Sequence, residues 1–193
     1  IERAGHLLPQ IEGPRRLRAL DMQEGLLLLV WGLFKKLVIA DNTALIVDKV
    51  FALNDPSFSL VWVGIFAFAV QILADFSGYT DIARGTARLL GFQLMRNFDR
   101  PYSATSPAEF WRRWHMSLSS WIRDYIYIPL GGNRGRQQLH VLSAMAICGL
   151  WHGAAWNFVA WGVYHGLGLG MESVVRARFP TLFGEGRAIA FCR

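Results

Sequence analysis

The chain has 193 residues, 53% of them hydrophobic and 18% charged, with eight Trp, thirteen Phe and a formal net charge of +6. This is too apolar and aromatic for an ordinary soluble domain, and the basic residues flank apolar blocks instead of forming a soluble basic face. That arrangement suits anionic lipid headgroups and argues against nucleic acid as a partner. Cys148 and Cys192 stand apart, so neither a disulfide framework nor zinc-ligand spacing is supported. The chain opens at Ile1 with no methionine and no short apolar leader, and reads as an internal piece of a longer polypeptide.

In chain order, Arg15, Arg16 and Arg18 precede an apolar run from Gly25 to Ala40. Lys35 and Lys36 interrupt it, so this run either spans a bilayer at a tilt or snorkels its lysines. Asp41 to Asp55 reads as an acidic loop. Leu60 to Ala74 is a stronger span, bounded by the turn-like Asn54-Asp55-Pro56-Ser57 and by Asp75 with Gly78-Tyr79. From Tyr79 to Gln138, nine arginines stand against Asp81, Asp99, Glu109 and Asp124, a bias that reads as cytoplasmic. Ser106-Pro107-Ala108-Glu109 has the form of a capping box and predicts a helix to about Ile128, interfacial or re-entrant because Arg112, Arg113, Arg123 and Asp124 punctuate it. Pro129 and Gly131-Gly132-Asn133 end it. Two more apolar blocks, Leu139 to Trp151 and Ala154 to Met171, hinge at His152-Gly153, and Arg176 and Arg178 follow. The predicted fold class is therefore all-α: a polytopic integral membrane protein with transmembrane and re-entrant or interfacial helices. The positive-inside rule puts the N-terminal basic stretch, the Arg-rich middle and the Arg176 region inside, with the acidic loop outside and His152 away from the cytoplasmic face.

His152 is the foremost candidate for chemistry. An imidazole within an apolar block is costly in hydrocarbon unless it faces a cavity or a partner, so it serves either function or interhelical packing. With an ordinary pKa near ~6.5, such a ring can take a proton from an attacking hydroxyl. His115 lies on the capped helix, where helical spacing puts it on one face with Trp111 and Ser119, while Trp114, Leu118, Trp121 and Tyr125 form a second, core-like stripe. Arg112, Arg113 and Arg123 suit either phosphate groups of a donor or lipid headgroups. Asp75, Asp81 and Glu109 are the carboxylates available to pair with these cations. His115, His140, His152 and His165 lack the spacing of a metal site, so no metal is expected. Neither a nucleophile elbow nor a phosphate-binding loop occurs.

Taken together, these stretches resemble the membrane-bound O-acyltransferase (MBOAT) family, in its bacterial polysaccharide O-acetyltransferase branch. The matching residues are Gly32-Leu33-Phe34-Lys35-Lys36, Asp75-Phe76-Ser77-Gly78-Tyr79-Thr80-Asp81, Leu90-Gly91-Phe92, Asn97-Phe98 through Pro101-Tyr102, Phe110-Trp111-Arg112-Arg113-Trp114-His115, Tyr127-Ile128-Pro129-Leu130-Gly131-Gly132-Asn133 and Gly149-Leu150-Trp151-His152-Gly153-Ala154. They cover residues 25 to 172 of a chain expected to form one domain fragment over residues 1–193. The resemblance implies a multi-pass protein of the bacterial inner membrane with His152 and His115, the latter matching the family's second histidine, as the catalytic candidates, and Arg112, Arg113, Trp111, Trp151 and Asn133 as substrate-contact candidates. It further implies transfer of an acyl group, acetyl foremost, from a thioester such as acetyl-CoA to hydroxyls of an exported polysaccharide such as alginate, with no bound cofactor and with periplasmic acetyltransferase partners. His152 would activate either a sugar hydroxyl or a partner's serine. D-alanyl transfer to teichoic acid is the rival within the family, and a proton-relaying transporter using His152 and Asp75 or a noncatalytic scaffold are rivals from other classes. Family members are considerably longer, so spans are expected before Ile1.

Overall fold

The computed structural model describes residues 1–14 and 17–179, and all regular structure among them is helical. The expectations attached to Arg15, Arg16, Cys192 and the tail beyond Phe179 lie outside the described residues. The chain divides into two compact units, Glu2–Arg96 and, together with Ile1, the residues from Asn97 onward.

In the first unit, α1 (Ala4–Glu12) and α2 (Ala19–Leu33) are followed by a π-helical segment, Phe34–Ala40, then α3 (Asp41–Phe51) and α4 (Phe58–Leu89). Asp21 starts α2 by accepting from the Arg18 guanidinium at 2.8 and 3.0 Å, with the first-turn placement that the helix dipole favours for an acid. The stretch expected to be an acidic loop is mostly helix. Asn42 Nδ2 donates to the Val38 carbonyl (2.8 Å) and Thr43 Oγ1 to the Ala40 carbonyl (3.1 Å), so side chains that look like helix breakers bond back into the preceding turn.

A second correction concerns α4, which does not stop at Asp75 or Gly78 but continues to Leu89. Its glycines serve close helix approach. A Cβ on Gly78 would lie 2.9 Å from the Gly32 carbonyl oxygen and one on Gly85 2.7 Å from that of Gly25, so α2 and α4 pack antiparallel with backbones nearly touching. The lysines of the π-helical segment turn onto α4 instead of snorkelling. Lys35 Nζ meets Asp81 at 2.6 Å and Ser77 Oγ at 3.0 Å, while Lys36 bridges Asp41 and Asp75, both at 2.9 Å. At ~1.5 Å per residue, the 32 residues of α4 reach about 48 Å, beyond the ~30 Å of bilayer hydrocarbon. Among the described residues, α4 is the one helix long and apolar enough to cross a membrane by length and composition.

The second unit holds α5 (Pro107–Arg113), α6 (Met116–Ile122), a π-helical turn over Arg123–Tyr127, α7 (Gln137–His152) and α8 (Trp156–Arg178). The two apolar blocks hinged at His152-Gly153 are α7 and α8, an antiparallel pair in intimate contact. A Cβ on Gly149 would lie 2.2 Å from the Phe158 carbonyl oxygen, and one on Gly162 2.2 Å from that of Met145. Trp111, Leu118, Ile122, Tyr127, Met145 and Leu169 are among the residues of this unit's core. Glu172 on α8, itself buried, accepts from the Ala108 backbone N–H (2.8 Å) and from Arg176 (2.9 Å), fastening the start of α5 to α8.

The candidate active site

The capping box at Ser106 forms in part. Ser106 Oγ accepts from the Glu109 N–H at 3.2 Å, but the Glu109 carboxylate reaches one residue further back, to the Thr105 N–H and hydroxyl (both 2.8 Å), and also meets Arg113. These bonds, the Thr105 N–H first among them, hold the Glu109 carboxyl well below its usual range, at about 2.

The helix that begins here does not run on to Ile128. It ends at Arg113; Trp114 is extended (φ −101°, ψ 127°) and His115 is left-handed (φ 41°, ψ 56°) before α6 begins. A left-handed non-glycine residue costs on the order of 1–3 kcal/mol and persists only where its surroundings enforce it. Asn97 supplies the enforcement: its carbonyl accepts from the Met116 N–H (2.9 Å) and its side-chain oxygen from the Ser117 N–H (3.1 Å). The free donors of α6 are thereby capped from 20 residues away in sequence. The single-helix face shared by Trp111, His115 and Ser119 therefore does not exist. The second stripe holds for three of its four residues, since Leu118 lies in the core and Trp114 and Trp121 pack against it, while Tyr125 is exposed.

The break turns His115 inward, where it is only 7% exposed and its ring stacks on Phe98 at 6.5 Å. Burial holds this imidazole below its ordinary value, at about 4, so it is neutral near pH 7. Trp151 is the next ring, 6.0 Å from His115 and 5.0 Å from His152, edge-on to the latter. His152, the last residue of α7, is exposed and also meets Trp161 edge-on at 5.0 Å and Phe158 at 6.5 Å. Trp161 in turn contacts His165 (4.8 Å) and Trp111 (5.6 Å), and His165 stands edge-on to Trp111 at 5.2 Å. Imidazole and indole thus alternate: His115, Trp151, His152, Trp161, His165, Trp111. Such edge contacts suit the ring quadrupoles and fix ring planes. The ring nitrogens of His152 make no hydrogen bond among the described residues, so one side of the imidazole is available to an incoming group.

Of the sequence candidates, His152, His115, Trp151 and Trp111 belong to this run. Arg113 is engaged elsewhere, donating to Ser103 Oγ (2.9 Å) and pairing with Glu109, and Arg123 pairs with Asp124 at 2.6 Å. Arg112 is exposed and makes no ion pair among the described residues. Asn133 accepts from the Tyr127 hydroxyl (2.6 Å) and from Gln137 (3.3 Å), which locks the turn after the π-helical segment. Sequence reading missed Trp161, Phe158 and the ring contacts of His165; the i, i+4 spacing of Trp161 and His165 on an apolar helix was the available signal. Beside the run lies a cavity of about 840 Å³ between α8, α5 and the loop before α5, with Tyr102, Phe110, Trp111, Tyr164 and His165 in its wall.

The membrane-bound O-acyltransferase family model matches residues 16–189. A probable alginate O-acetylase of Azotobacter vinelandii is 47% identical over 156 residues, covering 79% of this chain and 31% of the relative. A peptidoglycan O-acetyltransferase of Helicobacter pylori is 42% identical over 152 residues, covering 77% of this chain and 29% of the relative. A teichoic acid D-alanyltransferase of Streptococcus thermophilus is 33% identical over 124 residues, 58% of this chain and 30% of the relative. The chain spans about a third of the length of the curated relatives it matches.

Proposed function

The chain belongs to the membrane-bound O-acyltransferase family, and from that membership we propose that it carries the reacting histidine of an enzyme that acylates hydroxyls of an exported polysaccharide. The acyl group is acetyl and the donor a thioester such as acetyl-CoA. The acceptor is an alginate-like polysaccharide, reached directly or through periplasmic acetyltransferase partners. His152 acts as general base: a neutral imidazole with a free ring nitrogen takes the proton as the hydroxyl oxygen attacks the acyl carbon, and the thiolate leaves. Trp151, Trp161 and Phe158 contact the reacting ring and His115 backs Trp151, while Arg112 and Arg113, with Trp111 and Asn133, contribute to donor and acceptor binding. The observation that carries the reading is the exposed His152 held among aromatic rings in a stretch that the family model covers.

The setting is a multi-pass protein of the bacterial inner membrane. Large apolar side chains face outward along the helices, among them Leu27 (69% exposed), Phe66 (66%) and Trp156 (86%). Water would penalise such surfaces heavily, whereas lipid or neighbouring spans accommodate them. D-alanyl transfer is the second reading, favoured by the teichoic acid D-alanyltransferase likeness, which is weaker in identity and coverage than the O-acetyltransferase ones. The test supplies membranes containing the full-length protein with acetyl thioester and D-alanyl thioester carrying different labels. Acetyl label in a base-labile ester on polysaccharide is the expected result. D-alanyl label alone would replace the reading with its rival, and no label transferred would refute both.

A further inference from the structure

We propose that His165 is a positioning residue for His152, acting through the indole of Trp161. A histidine that moves protons is usually oriented by a hydrogen bond from its second ring nitrogen to a carboxylate or carbonyl. His152 has no such bond among the described residues, so its ring plane is set by its ring neighbours. Among the described residues three rings touch it, and they differ in how firmly they are held. Trp151 is 52% exposed, and Phe158 is exposed and at 6.5 Å from the imidazole. Trp161 is the anchored one: it packs against the buried core, meets His152 at 5.0 Å with an interplanar angle of 77°, and is backed by His165 at 4.8 Å and Trp111 at 5.6 Å. Trp111 is fixed in the core at 4% exposure and stands edge-on to His165 at 89°.

His165 is therefore the support behind the support. It also forms part of the wall of the 840 Å³ cavity, in which Trp161 has no part. Shortening His165 to alanine would open that space to the Trp161 indole, and an indole freed to tilt no longer defines the plane of His152. The nitrogen that accepts the proton would then sample directions away from the attacking hydroxyl. A small misplacement of this kind is enough to lower a rate steeply, because proton transfer and attack require aligned groups. The inference rests on the reading of His152 as the reacting base, but the geometry behind it is independent of which acyl group is moved.

The test uses the full-length protein in detergent with isotope-labelled histidine, the His152 ring signals being identified by their loss in His152→Ala. His165→Ala is expected to shift or broaden the His152 ring signals. It should also lower kcat at least about tenfold, with KM for the thioester changed by less than about twofold, since positioning acts on the chemical step. His165→Phe restores an aromatic edge without a ring nitrogen and should recover the signals and most of kcat. Trp161→Phe keeps an aromatic ring of smaller size against the core and should move the same signals as His165→Ala. His152 signals unmoved in both His165→Ala and Trp161→Phe would overturn the proposal. So would a His165→Phe protein as impaired as His165→Ala, which would mean that the imidazole itself is needed. If His152→Ala retained full acyl transfer while His165→Ala still moved the His152 signals, the positioning would stand and the proposed function would fall.

Discussion

His115 keeps its left-handed backbone because Asn97 holds the first two amides of α6, and this single turn converts a residue on a helix flank into a buried one. The burial has a measurable consequence. With its pKa held at about 4 in the folded chain, against an ordinary 6.5, the unfolded chain binds the proton first as the solution is acidified. Stability associated with His115 is thus complete above the ordinary value and declines as pH falls from about 6.5 toward 4. Thermal unfolding of the full-length protein across that window should show a flatter pH dependence for His115→Gln than for the parent. Equal slopes would mean that His115 is solvated. The residue types of the site were legible in the sequence: His152, His115, Trp151 and Trp111 all belong to the ring run. The bend that brings His115 into it was not, because its cap comes from Asn97 rather than from the residues on either side.

At the scale of elements, glycine decides how close the helices come. The α7–α8 pair tolerates no Cβ at Gly149 or Gly162, where the nearest atoms are backbone and cannot rotate away, whereas a Cβ on Gly168 meets nothing within 4 Å. Gly162→Ala should therefore destabilise the full-length protein by roughly 1–3 kcal/mol through overpacking. Gly168→Ala should be neutral or slightly stabilising, by up to about 1 kcal/mol, because alanine is the better helix former. Denaturation midpoints of the two variants measured side by side check both; equal midpoints would contradict the close crossing. Hydrophobic blocks announced both ends of α7 and the start of α8 to within two residues, but α8 runs on past Met171 to Arg178. They did not announce that α4 continues through Asp75 and Gly78, since a carboxylate and a glycine read as a stop when the Lys36 and Gly32 that satisfy them lie over 30 residues earlier. The Asp41–Phe51 helix was hidden for a related reason: its polar start bonds backward into the chain instead of ending it.

For the molecule as a whole, helix is the only regular structure among the described residues, and the exposed apolar side chains along those helices call for a medium other than water. The family match runs through both units, whereas the ring-framed histidine lies in the one from Asn97 onward, so the chemistry proposed for the chain depends on a site that this unit forms from its own residues. The most direct test compares the full-length protein with its His152→Ala variant, matched for amount and membrane insertion, with labelled acetyl thioester and polysaccharide acceptor. Loss of about 10²- to 10⁴-fold in the transfer rate is the result predicted for removal of a general base. Transfer at the parent rate by a correctly inserted His152→Ala protein would contradict it.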